Sequence, residues 1–317
     1  MKAKIHLNDF MLVIYFISIT GCCEQHPPSV MSAFADSIGN VNATLNAIVN
    51  PNDNPTSVRF DYGITSNYGS SVEVTQQITG SMGTVSHKIT GLISGQTYHF
   101  RVTAKNEDGE AGSSDLTFKT TVKDGDGNYY KIVTIGTQTW MVENLKTTKY
   151  RNGDLIGTTT PATLDISGEI TPKYQWPYAG KENYVNTYGR LYTWYVLSDK
   201  RNVCPTGWHV STNDEWNTLI NYSGGVSLAG MKLKEQGTGH WKTAGAINES
   251  GFTALPGGER TTDGYFCNIG TIGMWWTFSS RRTSYFSIVR YMEDYNYVVK
   301  KWYYINTYGL SVRCVRD

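Results

Sequence analysis

The sequence predicts a chain of two domains, in which an all-β sandwich is followed by a mixed α+β domain. Residues 30–121 alternate apolar and polar side chains in short runs separated by turn residues, which is typical of a sandwich. Beyond residue 190 the apolar spacing becomes helical, and Thr212 and Glu215 have the spacing of a capping box. A short apolar segment near the start predicts a separate targeting signal.

The composition excludes one broad class of function. The 317 residues carry 28 basic and 27 acidic side chains, for a net charge of +1, whereas dedicated nucleic-acid binders usually have a basic excess. The 22 tyrosines, 9 tryptophans and 32 glycines favour short strands and surfaces that face glycans or proteins. The alternative, that the aromatic residues fill a glycine-rich core, stays open.

The first residues have the features of an export signal. The apolar run 10–19 is shorter than the roughly 20 residues that span a bilayer, and it ends in Ile-Thr-Gly-Cys, which resembles a bacterial lipobox. That resemblance implies a signal peptide over residues 1–21, a lipid on Cys22 and a tether over residues 22–31. The expected location is the bacterial cell envelope, with the protein lipid-anchored at the outer membrane or cell surface. An ordinary secretory signal is the alternative.

The strand pattern is clearest at Tyr98, Phe100, Val102 and Ala104. The surrounding run, ITGLISGQTYHFRVTAKNEDG, resembles the fibronectin type III family, because it has the spacing of that family's tyrosine corner. The resemblance covers residues 32–121. It implies a spacer or binding module without chemistry of its own.

The second domain is predicted over residues 122–317 and begins with a tight turn. Residues 124–128 are rich in Asp and Gly but lack the glycine and the final glutamate of a calcium-binding EF-hand loop. A long polar loop follows over residues 154–186. The spacing of Leu191, Trp194, Tyr195 and Ser198 then predicts an amphipathic helix.

Five motifs of this domain together resemble the FISUMP family, named after the Fibrobacter succinogenes major paralogous domain. In chain order they are KIVTIGTQTWMVENL, CPTGWHVSTNDEW, GFTALPGGER, the pair Trp275-Trp276, and SVRCVRD. The family is similar to C-type-lectin-like and formylglycine-generating-enzyme folds, so the resemblance implies a mixed α+β domain with long irregular loops.

The same resemblance implies a disulfide between Cys204 and Cys314, which occupy places that are bonded in C-type-lectin-like domains. Such a bond persists in oxidising compartments. In the last strand, alternation predicts that Val312 and Cys314 face inward and that Arg313 faces solvent. Cys267 has no evident partner and is expected to be a buried or incidental thiol.

Catalysis is not expected. Formylglycine-generating enzymes bind copper through two nearby cysteines, whereas Cys267 is the only spare cysteine of this domain. Glu259, Asp263 and Glu293 are the acidic residues considered for glycoside hydrolysis, but nothing in their spacing distinguishes them from other loop acids. The cysteines and histidines lack zinc spacing, and the sugar-binding motifs of calcium-dependent lectins are absent. We expect no cofactor and no metal.

Aromatic and basic residues cluster after Pro256 and form the predicted ligand-binding set. They are Arg260, Trp275, Trp276, Arg282, Tyr285, Arg290, Tyr291, Trp302 and Tyr303. Aromatic faces stack on sugar rings, and Tyr, Trp and Arg dominate protein interfaces. Trp275 and Trp276 point to opposite sides of a strand, so one is expected to be buried and the other partly exposed.

The sequence thus predicts non-catalytic binding or adhesion to an extracellular polysaccharide or surface protein. A groove lined by aromatic residues favours a glycan, and a flat aromatic face favours a protein. A display scaffold without a single ligand is the alternative. The membrane is contacted only through the lipid anchor, and nucleic acid is not an expected partner.

Overall fold

The computed structural model of the protein describes residues 26–278 and 285–317. The predicted signal peptide, the lipidation residue Cys22 and the predicted ligand residue Arg282 lie outside these ranges. Within the ranges, no helix has the length and apolar character that crossing a membrane requires. The described chain is mostly β-structure with few helices.

The first domain is a sandwich of two antiparallel sheets. Its strands are β1 (Ser29–Asp36), β2 (Asn42–Asn50), β3 (Thr56–Gly63), β4 (Ser70–Ile78), β5 (Gly83–Thr90), β6 (Thr97–Asn106), β7 (Gly109–Gly112) and β8 (Leu116–Lys119). One sheet has the order β1-β2-β5, and the other has the order β4-β3-β6-β7, with β8 also paired to β6. Apolar side chains from both sheets meet in one core.

Strand β6 has the predicted alternation and contains Tyr98, the tyrosine of the predicted tyrosine corner. Tyr98, Phe100, Val102 and Ala104 are buried between exposed or half-buried neighbours. The hydroxyl of Tyr98 accepts a hydrogen bond from the backbone N–H of Ile93 at 2.9 Å, which is the contact that defines a tyrosine corner. The structure therefore bears out the fibronectin-like element.

The predicted tether is structured over its second half. Strand β1 begins at Ser29, within the predicted tether 22–31. Before it, the N–H of His26 donates to Asp108 at 3.1 Å and Asn106 donates to the carbonyl of His26 at 2.9 Å. Hydrogen bonds to the turn between β6 and β7 thus extend the sandwich to the first described residue.

The second domain combines short strands, short helices and long connections. Its strands are β9 (Ile132–Ile135), β10 (Gln138–Met141), β11 (Gln175–Trp176), β12 (Leu191–Tyr192), β13 (Trp208–Val210), β14 (Gly257–Arg260), β15 (Phe266–Ile269), β16 (Ile272–Trp276), β17 (Phe286–Glu293), β18 (Lys300–Ile305) and β19 (Cys314–Arg316). Its helices are α1 (Val185–Tyr188), α2 (Trp194–Leu197), α3 (Asn213–Tyr222) and α4 (Ala229–Leu233), with 3₁₀ turns at Tyr178–Gly180 and Glu182–Tyr184.

The two main sheets of this domain have the strand orders β13-β19-β10-β9 and β16-β17-β18. The neighbouring residues Trp140 and Met141 of β10 point into two different apolar clusters. Strand β10 is thus covered on both faces, so alternation along this strand does not separate core from solvent.

The disulfide between Cys204 and Cys314 is present, and it joins residues 110 positions apart with Cα atoms 6.1 Å from each other. Cys314 pairs with Val210 of β13, and both cysteines are fully buried. Beside them, Thr212 and Glu215 form the predicted capping box of α3. The last strand is thereby fastened to the entry of the longest helix.

A charged cluster extends this fastening to the last residue of the chain. His209 contacts Glu215 and Asp317, each at 2.7 Å. These two carboxylates, Glu215 first, raise the pKa of His209 to about 9 against the opposing effect of burial. The imidazole is therefore a cation at neutral pH and bridges helix α3 to the C-terminal residue.

Arg313 is a correction to the sequence prediction, because it is buried rather than solvent-facing. Only 1% of the residue is exposed. Its guanidinium donates to the backbone carbonyls of Met141 and Phe252, both at 2.9 Å, and to the side-chain oxygen of Asn144 at 2.8 and 3.0 Å. Alternation failed because the segment before β19 has protein on both sides.

Two local predictions have different outcomes. Residues 124–128 form the predicted turn, in which the Asp124 carboxylate accepts from the N–H groups of Asp126 and Asn128 at 3.0 Å. The predicted helix over Leu191 to Ser198 shrinks to the four residues of α2. Leu191 lies in β12, since the backbone of Tyr192 bonds to that of Leu310 instead of continuing a helix.

Candidate functional site

Four of the predicted ligand residues are buried. Trp275 and Trp276 are both fully buried, which corrects the expectation that one of them is partly exposed. Trp275 packs in the cluster with Trp216, whereas Trp276 packs in the cluster that contains the disulfide. Their indole N–H groups donate to Asn144 at 2.8 Å and to the carbonyl of Tyr192 at 2.7 Å. Both tryptophans hold the fold together and cannot reach a ligand.

The two described arginines of the predicted set are structural as well. Arg260 is fully buried and lies over the ring of Trp176, with its guanidinium carbon 4.1 Å from the ring centre. Arg290 is nearly buried and donates to Asn213 at 2.7 Å and to Asn217. A guanidinium whose donors serve the protein itself is not available to recognise a ligand.

The remaining members lie on or near the hairpin β17–β18. Tyr285, Trp302 and Tyr303 are 74%, 61% and 56% exposed. Tyr291 is half-buried, with the amine of Lys300 5.6 Å from its ring centre. The predicted set is therefore divided between the core and the surface.

Among the described members of the predicted set, Tyr285 lines a groove, which we call the tyrosine groove. This groove has a volume of about 610 Å³, within the usual range for ligand sites. Its lining residues are Ser167, Gly168, Glu169, Ile170, Tyr195, Thr262, Asp263, Tyr285, Ile305, Thr307 and Tyr308. Three tyrosine rings, two carboxylates and several hydroxyl groups thus surround one space.

Five separate segments of the chain meet to form the groove, and hydrogen bonds fix them to one another. The hydroxyls of Thr262 and Thr307 are 2.7 Å apart and join the turn after β14 to the end of β18. The N–H of Ile166 donates to the carbonyl of Thr262 at 3.0 Å, and the N–H of Trp194 donates to that of Asn306 at 3.0 Å. The loop before β11 and helix α2 are therefore attached to the same strand ends.

Arg260 holds one wall of the groove from behind. It donates to the carbonyls of Ala162 at 3.0 Å, of Thr261 at 2.9 Å and of Leu164. Loop 161–170 has no regular secondary structure whose N–H groups could bond to its carbonyls. The N–H groups of the planar guanidinium donate to them instead. Arg260 is thus a positioning residue of the wall.

Two carboxylates and no basic side chain occur in the described lining of the groove. Burial lowers the pKa of Arg260 to about 10, while the carboxylates of Asp165, Asp263 and Glu169 act in the opposite direction. Burial, followed by Glu259 and Asp263, raises the pKa of the Tyr308 hydroxyl. The hydroxyl therefore stays protonated and can donate a hydrogen bond at neutral pH.

The three acidic residues considered for glycoside hydrolysis occupy three different environments. Glu293 forms an ion pair with Lys300 at 2.5 Å. Glu259 is buried and accepts from the amide of Asn268 at 2.7 Å and from the thiol of Cys267 at 3.6 Å. Of the three, only Asp263 lines the groove.

Cys267 is a half-buried free thiol. It lies opposite Glu259 in the pairing of β14 with β15. Burial, followed by the nearby charge of Glu259, raises the pKa of the Cys267 thiol to about 11. The thiol is therefore protonated at neutral pH.

A second cleft of about 540 Å³ shares Tyr195 with the tyrosine groove. Three of its charged groups are already paired, because Asp199 binds Lys173 at 2.7 Å and Arg201 at 2.8 Å, while Lys200 is exposed. Arg201 lowers the pKa of Asp199 strongly by hydrogen bonding. These ion pairs leave little for a ligand to satisfy.

Sequence reasoning missed most of the groove. Tyr195 is predicted to lie in an amphipathic helix, Glu169 lies in the predicted long polar loop, and Tyr308 belongs to no predicted site. The one local signal was the polar run that follows the GGER motif, which contains Thr262 and Asp263. Over residues 26–278 and 285–317, no group of three or more His, Cys, Asp or Glu side chains is arranged to hold a metal.

Comparisons with known proteins place the second domain in a family. The solved structures that resemble the chain include the short form of the sensor domain of the anti-sigma factor RsgI4 from Pseudobacteroides cellulosolvens, which is 22% identical over 30% of this chain and 95% of that one, with a TM-score of 0.25. The third fibronectin III domain of human KIAA0343 is 13% identical over 32% of this chain and 89% of that one, with a TM-score of 0.22.

The FN5 domain of Drosophila Lar is 14% identical over 30% of this chain and 97% of that one, with a TM-score of 0.22. No curated protein matches the chain. Residues 133–316 match the family model described as the Fibrobacter succinogenes major domain. Since this match spans more than half of the 317 residues, the chain belongs to the Fibrobacter succinogenes major domain family.

Proposed function

We propose that this protein is a lipid-anchored, non-catalytic surface protein that binds an extracellular polysaccharide in the tyrosine groove. The observation that carries the proposal is the lining of the groove by Tyr195, Tyr285 and Tyr308 together with Glu169 and Asp263. Sugar rings present C–H faces that pack on the electron-rich faces of aromatic rings. Their hydroxyl groups donate strong hydrogen bonds to carboxylates.

The fold of the second domain supports a binding role of this kind. Residues of its long connections, 167–170 and 262–263, line the groove, while the disulfide and the two apolar clusters fix the strands. This arrangement, with a cystine joining the last strand to the chain ahead of α3, favours a C-type-lectin-like architecture. Such domains bind ligands through loops on a rigid scaffold.

The first domain acts as a spacer in this proposal. The side chain of Asn40, in the turn before β2, donates to the carbonyl of Lys123 at 2.7 Å and accepts from the N–H of Lys123 at 3.1 Å. The linker to the second domain is thus hydrogen-bonded to the sandwich. A linker fixed in this way carries the groove at a set distance from the anchor.

Replacing Tyr285 tests the groove with little risk to the fold, because the side chain is largely exposed. We expect Tyr285→Ala to weaken binding to a polysaccharide about two- to tenfold, the loss of one aromatic contact of ~0.5–1.5 kcal/mol. Binding is measured by glycan array and then by calorimetry with the full-length protein. Trp302→Ala is the matched control, since Trp302 is also exposed but does not line the groove.

The two variants also distinguish the alternatives. A larger loss of polysaccharide binding for Trp302→Ala than for Tyr285→Ala moves the glycan site from the groove to the exposed face of the hairpin β17–β18. An array without any bound glycan at high protein concentration contradicts polysaccharide binding and favours a protein partner or a display scaffold.

The anchor has its own test in Cys22→Ala. Without the thiol no lipid can be attached, so we expect the variant to leave the membrane fraction and to lose incorporation of labelled fatty acid. Cys23→Ala is the matched control and should remain in the membrane fraction. Unchanged membrane association of Cys22→Ala contradicts the lipid anchor without bearing on the groove.

A further inference from the structure

We infer that the tyrosine groove selects neutral polysaccharides and rejects chains that carry carboxylate or sulfate groups. The inference rests on the proposed function and names the class of glycan. It follows from the two carboxylates that line the groove and from the orientation of the buried Arg260, whose donors point away from the ligand space.

The acidic side chains of the groove face the ligand space. Glu169 and Asp263 both line it. Each accepts one internal hydrogen bond, Glu169 from the hydroxyl of Tyr174 at 3.3 Å and Asp263 from the hydroxyl of Thr261. A carboxylate has about four acceptor positions, so both retain acceptors for the hydroxyl groups of a sugar.

The described basic residues lie outside the lining of the groove, and Lys200 of the adjoining cleft is exposed. The guanidinium of Arg260 lies behind the wall and donates to backbone carbonyls of loop 161–170 and of Thr261. In the adjoining cleft, Lys173 and Arg201 are engaged by Asp199.

A uronic acid or a sulfated sugar would therefore bring a negative charge against two carboxylates, and no basic residue of the described lining would compensate it. Like charges that face each other in a partly enclosed site oppose binding strongly, and salt weakens this repulsion. A neutral sugar of the same shape meets only hydrogen-bond acceptors, hydroxyl groups and aromatic faces. Rejection by repulsion is a common source of specificity.

The test compares polymers that share a backbone and differ in charge. Hydroxyethyl cellulose is compared with carboxymethyl cellulose, and neutral galactan with polygalacturonate, by affinity electrophoresis of the full-length protein. Whichever neutral polymer binds, we expect its anionic counterpart to bind at least about tenfold more weakly at low salt. The difference should narrow at 0.3 M salt.

Two variants locate the effect in the groove. Asp263→Asn and Glu169→Gln keep the shape of each side chain but remove its charge, so each should increase binding to the anionic polymer several-fold relative to the neutral one. Glu73→Gln is the matched control, because it removes one charge from the exposed face of β4 in the sandwich. Glu73→Gln should leave the ratio of anionic to neutral polymer binding unchanged.

The outcomes separate this inference from the proposed function. Equal binding of neutral and anionic polymers, with no change of the ratio in Asp263→Asn and Glu169→Gln, overturns the charge selection while glycan binding stands. Stronger binding of the anionic polymer overturns it as well. Absence of binding to every polymer overturns the proposed function and this inference with it.

Discussion

Removing the disulfide with Cys204→Ala and Cys314→Ala should lower the free energy of unfolding of the second domain by about 4 kcal/mol. The bond closes a segment of 110 residues, and the chain-entropy model assigns roughly 4.7 kcal/mol to a loop of about that size. Natural disulfides usually contribute about 2–5 kcal/mol. Such a loss is a large share of the ~5–15 kcal/mol that stabilises a typical domain.

The measurement is simple because all nine tryptophans lie at position 140 or beyond. Urea unfolding followed by tryptophan fluorescence therefore reports on the second domain alone. Reduced wild-type protein should unfold close to the double variant, and Cys267→Ala should unfold close to the oxidised wild type. A reduced protein with the midpoint of the oxidised one contradicts the stabilising role of the bond.

Replacing Arg313 should have an effect of similar size. In Arg313→Met the carbonyls of Met141, Val142 and Phe252 lose the guanidinium that donates to them. Buried acceptors without donors cost roughly 1–3 kcal/mol each, so we expect a loss of about 4 kcal/mol. Arg313→Lys should recover only part of it, since an ammonium group cannot reproduce the planar fork.

The same fluorescence assay measures this loss. Arg316→Met provides the matched control, because Arg316 also belongs to the last strand but is only half-buried. We expect it to unfold within about 0.5 kcal/mol of the wild type, as surface substitutions usually do. If Arg313→Met has the same free energy of unfolding as Arg316→Met, the Arg313 guanidinium does not stabilise this core.

The burial of Arg313 also shows which parts of the fold can be predicted from local sequence patterns and which cannot. The alternation at Tyr98, Phe100 and Val102 predicted β6 correctly, because one face of that sheet is open to solvent. The capping box at Thr212 was equally predictable, since all its contacts are local. Around Arg313 the same alternation misled, because both faces of the strand meet apolar clusters.

The groove was beyond sequence reasoning for a different reason. Tyr195, Tyr285 and Tyr308 lie up to 113 positions apart, and none belongs to a periodic pattern that marks a shared surface. Their meeting depends on backbone contacts such as that between Arg260 and Gly309, whose N–H and C=O groups pair in both directions. Arg260 is predicted from the sequence as a ligand residue, but it is fully buried and donates to the backbone of the groove wall.

The protonated thiol of Cys267 has a consequence for how long the cystine lasts. A thiol attacks a disulfide only as its thiolate, and with a pKa of about 11 only about one Cys267 side chain in ten thousand is ionised at pH 7. Cys204 and Cys314 are also fully enclosed. Thiol–disulfide exchange through Cys267 is therefore slow, even where the equilibrium favours it. Cys267 thus neither rearranges the bond between Cys204 and Cys314 nor readily forms a disulfide between two copies of the chain.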